Sequence, residues 1–146
     1  MLRMDATRLE QDVKTAVENT LRTAEDFPAG AADILRRIVI DSLRAAPGSL
    51  KPRDAVVASS KGVMAAALLL DKDLPLTSLS ILRQMGTVAD ETHHDPSDLM
   101  SWAMEGIAPV VTFAGEAART AVKDAISSEF MGAGEIFSKA CETTGA

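Results

Sequence analysis

With 146 residues, a formal net charge of −6 and a single cysteine, this chain excludes several architectures at the outset. The length suits one domain with its own core. The acidic balance gives no pull toward phosphate backbones, so nucleic acid is not an expected partner. One cysteine permits neither an intrachain disulfide nor a cysteine zinc site.

Composition points to helices. The chain has one Trp, no Tyr and four Phe against seven Met. Aromatic anchoring and base stacking therefore have little to work with. Ala, Leu, Met, Glu, Lys and Arg are good helix formers. The densest basic pair, Arg36-Arg37, shares its segment with Asp33 and Asp41. The first dozen residues turn charged at once, so no secretory signal is expected, and the lone thiol fits a cytoplasmic setting. The longest stretch low in charge, 55–70, spans 16 residues. A membrane-spanning helix needs about 20, so no transmembrane segment is expected.

A first helix is predicted over 7–26. Leu9, Val13, Ala16, Val17, Thr20, Leu21 and Ala24 recur at helical spacing, and Thr7 with Glu10 has the form of a capping box. Phe27-Pro28-Ala29-Gly30 is expected to stop it. A second helix follows over 31–46, with Leu35, Ile38 and Val39 inside, until Pro47-Gly48 ends it. Ile40 interrupts its polar side and predicts a second contact. A third helix opens at Pro52 and closes at Asp71-Lys72-Asp73. Its body is apolar all round, which places it centrally, covered by neighbours.

The fourth helix starts near Pro75 and reaches about Glu91, with Leu79, Leu82, Met85, Val88 and Ala89 on one side. Asp95-Pro96-Ser97-Asp98 opens the fifth, combining a cap, a first-turn proline and a carboxylate at the positive end of the helix dipole. Pro109 is expected to kink or break it. A further helix runs from Val110 to about Phe130, carrying a stripe of Ala114, Ala117, Ala118, Ala121 and Ala125 that would let a neighbouring backbone come close. After Met131-Gly132-Ala133-Gly134, residues 135–141 make a short last helix. Residues 1–6 and 142–146 are expected to fray. Connections of two to six residues imply antiparallel neighbours.

A form consisting of a basic residue, two others, Val, three others and Leu or Ile starts at Lys14, Arg36 and Arg119, with a weaker copy at Ser60. The intervals of 22, 24 and 59 residues are unequal. Any amphipathic helix supplies such a pairing, so no solenoid period is read from it.

The one concentration of chemical groups is 91–98. It holds both histidines, His93 and His94, with Glu91 and Asp98 as further candidate metal ligands. Adjacent histidines on a helix diverge by about 100°, so they converge only in a loop. A polar interhelix loop with an N-cap explains the same residues. Glu-x-x-His, Gly-x-Ser-x-Gly and the phosphate-binding lysine loop are all absent, and no cofactor is expected. Cys141 reads as a structural thiol. Met64, Met85, Met100, Met104 and Met131 read as scattered core filling, and Trp102 as partly buried.

These readings add up to an all-α, single-domain antiparallel bundle of five to seven helices over 1–146, with an apolar central helix at about 52–71. The expected function is a non-enzymatic helical scaffold or protein–protein interaction module. Its partner is a second copy, through the alanine stripe or the first helix, or another protein. One alternative is a small helical enzyme or ligand-binding protein using the 91–98 loop. Another is a coat on an apolar surface, since granule-coating phasins have a similar composition.

Overall fold

The computed structural model describes residues 5–45 and 50–145. They form seven helices and no strand: α1 (Ala6–Leu21), α2 (Phe27–Leu43), α3 (Pro52–Leu69), α4 (Leu74–Thr92), α5 (Pro96–Ala114), α6 (Glu116–Glu129) and α7 (Ala133–Gly145). The stop expected at Pro47-Gly48 lies outside the described residues.

Aspartates set most of the starts. Asp5 caps α1, its Oδ1 accepting from Arg8 N at 2.8 Å, so the cap is Asp5 and not Thr7. Asp26 Oδ1 accepts from Ala29 N at 3.2 Å, with Pro28 in the first turn of α2. The segment expected to stop a helix therefore starts one, because a first-turn proline lacks an N–H that the helix would not have used. Asp73 with Pro75 and Asp95 with Pro96 open α4 and α5 in the same manner.

α5 continues through Gly106 and Pro109, so of the expected kink or break the break does not occur. The chain breaks instead at Gly115, whose φ of 123° is a region that L side chains rarely adopt. A proline removes one hydrogen bond from a helix. Packing on both flanks of α5 outweighs that loss, whereas nothing lies within 4 Å of where a Cβ on Gly115 would stand.

The helices lie in two layers. α1, α3, α5 and α7 pack side by side in one, and α2, α4 and α6 in the other. The main neighbour of each helix is thus two along the chain, not the next one, as in stacked helical hairpins. Neighbours within a layer run the same way. Phe27 at the start of α2 has Lys72 Nζ 5.8 Å over its ring beside the start of α4, and at the other ends Arg44 donates to the Glu91 carbonyl at 3.0 Å. α3 touches α1, α2, α4 and α5, the central place its apolar sequence predicts.

A repeat of 47 residues underlies this. Asp26, Pro28, Ile34, Leu35 and Arg36 recur in identity and spacing as Asp73, Pro75, Ile81, Leu82 and Arg83. The odd layer repeats as well. A Cβ at Gly62 would meet Glu10 O, Val13 Cβ and Lys14 N of α1. A Cβ at Gly106 would meet Val57 O, Ser60 Cβ and Lys61 N of α3, contacts 47 residues further on, although the glycines themselves stand 44 apart. The recurrence starting at Lys14, Arg36 and Arg119 is a different matter, since it links α1 to α2 and α6 across the layers. It reflects amphipathic spacing alone.

One continuous apolar cluster draws on all seven helices, from Leu9 and Val13 to Phe137 and Cys141. Ile40 is buried, as its second contact required, and Trp102 is partly buried. The alanine stripe does not pack as expected. α6 turns Val122 and Ile126 inward, with Ala118 and Ala125 half-buried at the edge of the core, while Ala117, Ala121 and Ala114 at the end of α5 are exposed. Larger apolar residues release more free energy on burial, so they take the inner face.

Candidate functional site

The joint at 91–98 is a helix-to-helix turn. His93 closes α4 in the left-handed conformation (φ 59°), and its N–H donates to Ala89 O. The His94 N–H reaches the same oxygen at 3.2 Å. The His94 ring folds back, with Nδ1 at 3.0 Å from Thr92 Oγ1 and 3.1 Å from Thr92 O. Glu91 and Asp98 are exposed. Backbone capping accounts for the local geometry here. Among the described residues, no three His, Cys, Asp or Glu side chains gather as a metal-binding group.

Cys141 is buried in α7, and that burial pushes its thiol pKa up, against smaller opposing effects of Thr112 and Arg119. At neutral pH it is a protonated wall residue, a poor nucleophile. Of the five methionines read as core filling, Met64, Met85 and Met104 are buried, whereas Met131 is fully exposed. Met100, Met104 and Met131 line a 410 Å³ cleft between α5 and the α6–α7 turn.

A wide opening lies across the odd layer. It is an open groove of 690 Å³, lined by Lys14 of α1, Lys61, Ala65, Leu68 and Leu69 of α3, and Pro109, Val110 and Phe113 of α5. Its walls are mostly apolar. Phe113 is 84% exposed and Leu69 60%, so two large hydrophobic side chains lie open to water at one site. Its only charged lining residues are the two lysines. Lys14 pairs with Glu18 and Lys61 with Glu10, each at 3.6 Å. Those separations are too long for a hydrogen bond, so both ammonium groups keep donors to spare.

The 47-residue repeat builds this groove. Lys61 follows Lys14 by that interval, and the glycine contacts draw the three helices together. Sequence patterning missed the site. Leu68-Leu69-Leu70 ends a helix that is apolar all round, so nothing in the pattern marks Leu69 as the exposed one. The lysine spacing and the shared Asp-x-Pro and Ile-Leu-Arg segments were the available signal.

Together these features define a two-layer stack of helical hairpins with one open apolar groove. The chain matches no protein-family model, no curated protein and no solved structure. None of its described helices is long and apolar enough to cross a membrane.

Proposed function

We propose that this chain is a non-enzymatic protein–protein interaction module, cytoplasmic in setting, whose groove across α1, α3 and α5 docks an acidic amphipathic helix of a partner protein. The observation that carries this reading is the exposure of Phe113 and Leu69 in a groove whose only lining charges are Lys14 and Lys61. Stacked helical hairpins offer extended surfaces of this kind, and an amphipathic helix laid in a groove uses apolar anchors with flanking charges. A symmetric contact with a second copy would set these lysines against their own counterparts. Charge complementarity therefore favours a partner with carboxylates, although the chain as a whole carries −6. The lone buried thiol suits a reducing compartment.

The test uses two labelled helical peptides that share a leucine seam, one flanked by Glu and the other by Lys, followed by fluorescence anisotropy. The Glu peptide is expected to bind, the Lys peptide not, and added salt to weaken the complex. Burying a Leu or Phe side chain contributes about 1.5–3 kcal/mol. Leu69→Glu or Phe113→Glu should accordingly weaken binding by about tenfold or more. Equal binding of both peptides, or of neither, would overturn the reading. So would a dimer in sedimentation that Phe113→Glu abolishes, which would make the groove a contact between copies. Flotation with neutral lipid vesicles at any salt concentration would instead favour an apolar-surface coat.

A further inference from the structure

A second opening lies at the other end of the stack, between α6 and α7. It holds 310 Å³ and is lined by Arg119, Thr120, Lys123, Ser138, Cys141 and Glu142. Arg119 and Lys123 sit one turn apart on α6, a spacing at which like charges repel. Seven other basic side chains among the described residues hold carboxylates: those of Arg8, Lys14, Arg36, Arg37, Arg53, Lys61 and Arg83. Arg119 and Lys123 hold none, although Glu116 and Asp124 stand on the same helix. Those seven are half of the described basic side chains, and Arg119 and Lys123 are two of the remainder that meet at one cleft. Two hydroxyls, Thr120 and Ser138, line it beside them.

We infer that the α6–α7 cleft binds a phosphate-type oxyanion, held by Arg119 and Lys123 with the hydroxyls of Thr120 and Ser138. A guanidinium presents a planar fork of N–H donors that matches phosphate oxygens, and an ammonium adds a point charge. The volume lies at the small end of ligand sites, enough for a phosphoryl group with a small organic part. Cys141 contributes a neutral wall. Glu142 is the opposing charge, which disfavours an anion and tunes how tightly one is held. This site is independent of the α1–α3–α5 groove.

The experiment is an NMR titration of the purified chain with inorganic phosphate and, separately, phenyl phosphate, each against chloride at matched ionic strength. Saturable shifts in the amides of 119–123 and 138–142 are expected, with a millimolar or tighter dissociation constant. Arg119→Gln should weaken binding by about tenfold, and Lys123→Gln, at an exposed position, provides the same readout if the first variant folds poorly. Glu142→Gln should tighten it, an effect that a purely structural role would not produce. Tighter binding of phenyl phosphate would identify a phosphate monoester as the ligand, and equal binding free phosphate. Shifts that chloride reproduces, or binding unchanged in both cation variants, would overturn the proposal. Leu69→Glu should leave phosphate binding intact, so the two sites fail or stand separately.

Discussion

Gly106 of α5 lies so close to Val57 of α3 that a Cβ added to it would strike the Val57 carbonyl oxygen, with Ser60 Cβ at 2.9 Å. Gly62 stands in the same relation to Glu10 of α1, at 2.5 Å. Neither obstacle is the tip of a flexible side chain, so the helices themselves would have to part.

Gly62→Ala and Gly106→Ala should each destabilise the fold by about 1–3 kcal/mol, the usual range for overpacking. Gly86 provides the contrast. It is exposed in α4, with nothing within 4 Å of an added Cβ. Gly86→Ala should stabilise by about 0.5–1 kcal/mol through helix propensity alone. Thermal unfolding followed by circular dichroism separates the two directions, and a loss at Gly86 equal to that at Gly106 would contradict the close crossing.

His93 offers a second gain. Its φ of 59° strains any residue with a Cβ, and its N–H serves the α4 cap whatever the side chain. His93→Gly should raise stability by about 1 kcal/mol. A fall in stability that zinc restores in the wild type but not in the variant would show instead that the ring holds a metal.

Ser59 is fully buried in α3, and its hydroxyl has no hydrogen-bond partner. Ser59→Ala removes an unsatisfied polar group and keeps the Cβ contacts. Stability should stay level or rise by up to about 1–2 kcal/mol. A clear loss in denaturant melts would mean that the hydroxyl is satisfied.

Arg83 joins α4 to α6 through two bonds to Glu129, Nε to Oε2 at 2.7 Å and Nη2 to Oε1 at 2.5 Å. The hydrogen bond from Arg83 holds the Glu129 carboxyl below its ordinary pKa, against a smaller desolvation effect. A group whose pKa falls on folding stabilises the native state above its unfolded pKa. That contribution is lost as pH drops through the lower, folded value. Arg83→Gln should therefore lower stability at neutral pH and flatten its decline below the usual carboxylate range. Both pH–stability curves should meet in strong acid, and parallel curves throughout would show that the pair does not titrate as argued.

Much of this protein is determined by local sequence. Heptad-like apolar spacing, four aspartate caps and four first-turn prolines at Pro28, Pro52, Pro75 and Pro96 fix the number and type of the elements, because capping and periodicity act within a turn or two. The central position of α3 follows from its apolar circumference. The joint at 91–98 was legible as a start signal, and His93 and His94 serve that turn. What local pattern does not encode is which helix lies beside which. That depended on long-range fits, Gly62 onto α1 and Gly106 onto α3, which pair helices two apart and not in succession. The same fits decide that Leu69 and Phe113 face water while Val122 and Ile126 take the core, with Ala118 and Ala125 only at its edge and Ala121 outside. The groove with its two lysines and the cleft with its two unpaired cations are products of tertiary structure, since each collects residues from helices that meet only once the layers have stacked.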